Sequence, residues 1–377
     1  LRYFMRGFVS FVTQPETTPS AQRYGFVVRS RAQEGFMAAT FESASPIPVP
    51  RRTARYAVVG AGAIGAYVGA SLARGGSDVT LVARGPHLAA MRERGVAVLS
   101  ERGDFHVRCT ATDDASDNGP FDVVIVALKA HQIGPMLPAI RRLCHDRTRI
   151  VGMQNGIPWW YFQQHGGPYE GLVLQSVDPG GRIADAFDPA NVVGCVIFSS
   201  TEIEEPGVIR HVEGTRFALG RPDRGTDPIL DEIARDLTAG ALKAPVESDL
   251  RTQIWVKMVG TAALNPISAL TRTTLATMLR DPAIERLVRD VMEECVTIAS
   301  TLGVTLPVSI DRRIEGARNV GDHKTSMLQD IERGRSPEID CITGAIVELG
   351  SVLGIATPKT AQLHTLTSLL GSTAAAA

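Results

Sequence analysis

An excess of charge of either sign is absent from this chain. Its 39 basic and 40 acidic side chains leave a formal net charge of -1, which removes the electrostatic case for a nucleic-acid partner or a charged membrane surface. No apolar run reaches the about 20 residues that a helical membrane span needs. Cysteine is scarce too. Cys109, Cys144, Cys195, Cys295 and Cys341 lie far apart, none in a Cys-x-x-Cys pair and none beside a His at a zinc-ligand spacing. That scatter argues against a disulfide scaffold and offers no metal site. It predicts reduced thiols in a cytoplasmic protein, each buried as a small apolar group. The remaining balance, 44% hydrophobic and 21% charged over 377 residues, fits a globular protein of two ordinary domains.

The first 53 residues lack periodic apolar patterning and close on the proline-rich Ser43-Ala-Ser-Pro-Ile-Pro-Val-Pro50. They also lack a compact apolar segment followed by a small-residue cleavage site, which makes a poor secretory signal. Arginines outnumber acids there, leaving a weak organelle-targeting reading. Leu1 opens the chain, with Met5 and Met37 following. The expectation is a working start near Met37 and little fixed structure before about residue 54.

What is present is Gly60-Ala-Gly62-Ala-Ile-Gly65, directly after the apolar run Tyr56-Ala-Val-Val59 and directly before the helical pattern Tyr67-Val-Gly-Ala-Ser-Leu-Ala73. Strand, glycine turn, helix is the order a dinucleotide-binding fingerprint requires. Gly60 permits the turn, Gly62 lets the backbone approach a pyrophosphate, and Gly65 allows helix to pack on strand. Ala63 and Ile64 complete the expected contacts, at a helix start whose N–H groups favour anions.

From Arg55 onward, strand and helix patterns alternate. Strands are expected at 56–59, 78–83, 95–99, 105–111, 121–128 and 149–153, with helices at 66–75, 86–95 and 133–143. This alternation predicts a parallel, doubly wound sheet with helices on both faces. Extended segments at 192–200 and 207–218 and a helix at 228–240 complete a nucleotide domain over 54–248. From Asp249 the spacing turns helical, at 250–263, 281–302, 307–320 and 336–353, with a short helix opening at 322–326. An all-α domain over 249–377 beside a Rossmann-like sheet leaves a cleft between them, a common place for a small-molecule site.

Several polar residues fall where strands end. Arg84 follows the second strand, where an NAD site usually carries an acid; a guanidinium there fits the 2′-phosphate of NADP(H). Lys129 and Asn155 stand after two further strands. Lys257, Thr261 and Asn265 are four apart and share one helical stripe. A lysine among Trp255, Val256 and Met258 is open to desolvation, which would lower its pKa toward a general-acid range; a lysine snorkelling from an amphipathic helix is the other reading. Gly260 implies close approach by a ligand or a second helix. Ser326 and Glu338 flank a later helical segment. The run Pro158-Trp-Trp-Tyr-Phe162 either shapes a pocket or packs between domains.

Together these residues resemble the ketopantoate reductase family. The resemblance runs from about Arg55 to near the C-terminus and rests on five ordered pieces: the glycine turn, Leu128-Lys129-Ala130, Gln154-Asn155-Gly156, Lys257 with Asn265-Pro266, and Ser326-Met-Leu-Gln-Asp330 leading to Glu338-Ile-Asp340. It implies a Rossmann domain followed by a helical domain, an active site between them, and NADPH-dependent reduction of a 2-oxo acid. Lys257 and Glu338 are the implied catalytic pair, with Lys257 as general acid. Asn155 and Asn265 match residues that position lysine or substrate, Ser326 a substrate-carboxylate contact, and Lys129 a cofactor-side lysine; Asn155 and Glu338 also face the cofactor. Thr261 stands where the family usually has Asn, and Thr271-Arg-Thr-Thr274 lacks a further Asn. A related dehydrogenase for another carbonyl or hydroxy acid, and a non-catalytic NADP-binding sensor, stay open as alternatives, as does assembly as a homodimer.

Overall fold

The computed structural model describes residues 54–376, so the extension expected before residue 54 lies outside the described residues. Strand β1 (Arg55–Val59) is buried from Tyr56 onward, the mark of a central strand. It pairs in parallel with β2 (Asp78–Val82) on one side and β6 (Val123–Val126) on the other. The crevice at its carboxyl end is therefore a topological switch point, where ligands of open α/β sheets bind. Outward from β6 lie β7 (Arg149–Gly152), β8 (Val192–Glu205), β9 (Val208–Gly220), β3 (Val96–Ser100) and β4 (Phe105–Val107); beyond β2 lies β5 (Thr110–Thr112).

The sheet is mixed rather than wholly parallel. Strands β8 and β9 run antiparallel because only Pro206 and Gly207 join them, too few residues for a crossover. Strand β4 is antiparallel to β3. The stretch expected as one strand at 105–111 divides into β4 and β5, which occupy opposite edges of the sheet. Only Arg108 and Cys109 separate these edges, a link that spans about 10 Å at most. The sheet must therefore curl, and it curls round helix α1 (Ala63–Arg74). Eight consecutive residues of α1, Gly65 to Leu72, are buried. Small residues make that enclosure feasible: a Cβ on Gly69 would lie 2.3 Å from Leu81 Cδ2.

Helices α2 (Gly85–Arg94), α3 (Ala130–Arg142) and α4 (Pro228–Ala239) complete the sheet half. The helical half comprises α5 (Leu250–Thr271), α6 (Leu275–Met278), α7 (Pro282–Thr301), α8 (Ile310–Asn319), α9 (Ser326–Glu332), α10 (Ala345–Leu353) and α11 (Pro358–Ala376). Asp249 caps α5, and Asp281 caps α7 by accepting from the Ala283 and Ile284 N–H groups, the N-cap chemistry expected of a carboxylate. The helix expected at 336–353 starts late. Pro337 disfavours a helical Ser336, and regular α10 follows a π-helical turn at Asp340–Gly344. Helix α11 was not foreseen, because its polarity is inverted: Thr360 and Thr367 are buried while Leu369 is 63% exposed.

One apolar core runs without a break from Val59, Val124 and Val126 of the sheet to Met258, Ala262 and Val291 of α5 and α7. That continuity fixes α5 across the carboxyl ends of the strands. Cys195, Cys295 and Cys341 are buried as expected; Cys109 and Cys144 are only partly so. Among the described residues no helix is long and apolar enough to cross a membrane.

Candidate active site

The glycine turn is fastened to the end of β2, since the Gly60 and Ala61 N–H groups both donate to the Val82 carbonyl (3.1 and 2.9 Å). Gly60 has φ +93°, and a Cβ there would press on Leu128; a Cβ on Gly65 would lie 2.3 Å from the Gly60 carbonyl oxygen. Gly62 differs, since a Cβ there would meet nothing within 4 Å. Two glycines thus serve packing, and the third leaves the face at the start of α1 open. No acidic residue lies in the first turn of α1 and no side chain caps it, so its N–H groups form a cradle that fits a pyrophosphate. Arg84 is exposed at the N-cap of α2, two residues beyond Val82.

The Lys257 ammonium donates to Asn155 Oδ1 at 2.7 Å. Asn155 Nδ2 donates to Glu338 Oε2 at 3.0 Å, and the other carboxylate oxygen accepts from the Ala130 N–H at 3.2 Å. Asn155 therefore uses both ends of its amide, one to accept from the lysine and one to donate to the acid. Its position is set from two sides. Gln154 Nε2 donates to the Val126 and Leu128 carbonyls. The Ile157 N–H donates to the Cys341 carbonyl, while Gly156, at φ +78°, passes so close that a Cβ would lie 2.1 Å from that same oxygen.

Burial lowers the Lys257 pKa to about 8, against a smaller upward pull from the Glu338 carboxylate and Cys195. Burial raises the Glu338 pKa, opposed by the Asn155 and Ala130 N–H groups and the Lys129 ammonium. Asn155 holds the ammonium inward, which does not fit a lysine snorkelling to solvent.

Further along the α5 stripe, Asn265 Nδ2 donates to Ser326 Oγ at 3.4 Å. The Thr261 hydroxyl donates back to the Lys257 carbonyl at 3.1 Å, so it is bound to its own helix. The Lys129 ammonium pairs with Asp330 at 2.8 Å and donates to the Ser336 carbonyl at 2.7 Å, binding the sheet half to the helical half. Gly260 admits Arg313 of α8, whose guanidinium donates to the Val256 carbonyl. Of the aromatic run, Trp159, Tyr161 and Phe162 are core, and Trp255 Nε1 donates to the Tyr161 hydroxyl; Trp160 lines a cavity beside Lys257.

Residues 56–164 match the family model described as Ketopantoate reductase PanE/ApbA, and residues 249–370 match its C-terminal counterpart. A 2-dehydropantoate 2-reductase of Mesorhizobium japonicum is 45% identical over 302 residues, covering 80% of this chain and 93% of that protein. The chain belongs to the ketopantoate reductase family. Solved structures agree. A ketopantoate reductase candidate from Ralstonia solanacearum MolK2 superposes with a TM-score of 0.81 at 36% identity, over 86% of this chain and 99% of that one. A 2-dehydropantoate 2-reductase from Geobacter metallireducens GS-15 gives 0.73 at 28% identity, over 84% and 99%.

Within this family's fold, the structure draws Lys257, Asn155 and Glu338 into one hydrogen-bonded chain and sets Asn265 beside Ser326. Arg84 stands apart from both groups. Sequence reading gave no role to three participants: the Ala130 N–H, Asp330 and the Ser336 carbonyl. Asp330 was visible as the last residue of the Ser326–Asp330 motif, between Gln329 and Ile331. The two backbone groups carry no side-chain signal.

Proposed function

We propose that this oxidoreductase reduces 2-dehydropantoate to pantoate with NADPH, using Lys257 as general acid. The observation that carries the reading is the Lys257–Asn155–Glu338 chain, tied through Gln154 to Leu128, the residue packed against Gly60 of the glycine turn. An ammonium has three donors; Asn155 takes one, and another can donate to the C2 carbonyl oxygen of a 2-oxo acid. When bound, the reduced nicotinamide supplies the hydride. Proton donation by Lys257 then neutralises the oxygen as it gains charge. Ser326 and Asn265 offer hydroxyl and amide groups to the substrate carboxylate. Within the same proposal, residues 54–248 bind the cofactor and 249–377 the substrate, in a cytoplasmic homodimer whose assembly sedimentation velocity can read. Oxidation of NADPH by ketopantoate in the purified protein tests the function. Turnover of other branched 2-oxo acids but not ketopantoate would assign the alternative substrate, and no turnover of any would defeat the reading.

The protonated amine is the acting form, and burial has lowered its pKa to about 8. In the reduction direction kcat/KM should be level below that pH and fall about tenfold per unit above it. Oxidation of the hydroxy acid needs the neutral amine and should show the opposite limb. A profile flat from mildly acid to strongly alkaline pH would remove Lys257 from the proton step.

Arg84 supports NADPH over NADH. Replacing its guanidinium with a carboxylate (Arg84→Asp) should weaken NADPH binding by about 10–100-fold and leave NADH binding nearly unchanged. Equal losses for both cofactors, measured by fluorescence titration, would argue that Arg84 does not read the 2′-phosphate.

A further inference from the structure

Helix α9 is too short to hold its shape alone, since isolated helices of fewer than about 12 residues are marginal in water. Its first turn carries Ser326 and is capped by the Thr325 hydroxyl, which accepts from the Leu328 N–H at 3.2 Å. Its last turn carries Asp330, four residues on and so on the same helical face. Asp330 is 9% exposed. One of its carboxylate oxygens accepts from the Lys129 ammonium at 2.8 Å, and the other meets Arg335 Nε at 3.2 Å. Lys129 belongs to the sheet half. It follows Leu128, whose backbone N would lie 3.0 Å from a Cβ on Gly60 of the glycine turn. The same ammonium donates to the Ser336 carbonyl at 2.7 Å, two residues before Glu338, and the Ala130 N–H beside it donates to Glu338 itself. An ammonium has three donors. Two are engaged, and the third has no partner among the described residues. A second tie joins the end of α9 to the sheet half, where Arg333 Nη2 pairs with Glu202 of β8 at 2.9 Å. That pair is more exposed than Lys129–Asp330, so solvent screens it more, and β8 stands two strands beyond β6, away from the glycine turn.

We propose that Asp330 is a positioning residue: through Lys129 it ties the substrate helix α9 to the cofactor side of the cleft, so that a bound dinucleotide steadies Ser326 for the 2-oxo acid. The inference rests on the proposed roles of Lys129 toward the cofactor and Ser326 toward the substrate. The free donor of Lys129 is the point of contact. A cofactor oxygen that accepts from it fixes the ammonium, the ammonium fixes Asp330, and Asp330 fixes the helical face that presents Ser326. Linkage makes the effect reciprocal, so the substrate also tightens the hold on the cofactor. Removing the carboxylate leaves each site able to bind alone and uncouples the two.

Amide hydrogen exchange and calorimetry on the full chain test this. NADPH alone should slow exchange in α9 of the wild type about tenfold. It should also tighten the binding of pantoate, a hydroxy acid that the reduced cofactor cannot turn over, by about tenfold. Asp330→Asn keeps the size of the side chain and should cut both effects to less than about twofold. The NADPH dissociation constant of the variant without pantoate, and kcat at saturating substrate, should stay within about threefold of wild type, while KM for the 2-oxo acid rises about tenfold. Lys129→Met breaks the same pair from the other side and serves if the asparagine variant fails to fold; the double variant should lose no more coupling than either single one. Glu202→Gln cuts the outer tie and should keep the wild-type coupling. Undiminished coupling in Asp330→Asn, or a wild-type α9 whose exchange NADPH does not change, would overturn the proposal. So would an equal loss in Glu202→Gln, which would make both ties merely structural. If NADPH protects α9 through Asp330 while pantoate does not bind and ketopantoate is not reduced, the tie stands and the substrate reading is the one that fails.

Discussion

Lys257→Ala is expected to lower kcat for the 2-oxo acid by about 10²–10⁴-fold while NADPH binds with its wild-type dissociation constant. The two effects separate because the amine and the phosphate cradle belong to different elements, one on α5 and the other at the start of α1. Lysine's stem also fills space, so Lys257→Met is the companion variant: it keeps most of the length of the side chain and removes the ammonium. Both variants should be equally inactive. Neither should lower the melting temperature much, because a buried ammonium costs desolvation free energy that its removal returns. Rapid-mixing kinetics with reduced cofactor, beside a fluorescence titration, checks both halves. Undiminished turnover in the methionine variant would contradict the assignment. An NADP-binding sensor, by contrast, would have no turnover to lose.

The second large effect is expected at Asn155. Its amide holds Lys257 by one end and Glu338 by the other, so Asn155→Ala leaves two half-buried ionisable groups without their shared partner. We expect kcat to fall by about 10²-fold. The direction of the pH shift is more telling than the size of the loss. Without the accepting oxygen the ammonium is less well stabilised, and the alkaline limb of kcat/KM should move below the wild-type position. Asn155→Asp puts a carboxylate beside the same amine and should move that limb upward. General damage to the fold would not shift the limb in opposite directions. If both variants kept the wild-type limb, Asn155 would not be tuning the lysine.

Much of this arrangement could be read from the sequence, and the misses have physical causes. The glycine turn was legible because each glycine answers to a local requirement: Gly60 to a left-handed φ and Gly65 to a contact no Cβ could survive. The Lys257–Thr261–Asn265 stripe followed from helical spacing alone. Glu338 was different. Nothing in its neighbourhood distinguishes it from a surface acid, and only the family resemblance singled it out; in the fold, the Asn155 amide and the first turn of α3 give it its setting. The curl of the sheet could not be foreseen from alternation, since it depends on the two-residue link Arg108-Cys109 joining opposite edges. Pro206-Gly207 is the short link that makes β8 and β9 a hairpin, and strand–helix alternation earlier in the chain carries no signal of that antiparallel pair. Helix α11 escaped because its threonines face inward and two of its leucines face out, reversing the pattern on which helix recognition depends.

The central claim is spatial: the amine of Lys257, held by Asn155, reaches the reacting oxygen of a substrate lying on the nicotinamide. A crystal structure of the full chain with NADP and a 2-oxo acid tests it most directly. The account predicts Lys257 Nζ at about 2.7–3.2 Å from the C2 oxygen, with the Asn155 and Glu338 bonds intact. An amine turned away from the substrate, with the oxo group bonded to other side chains, would contradict it.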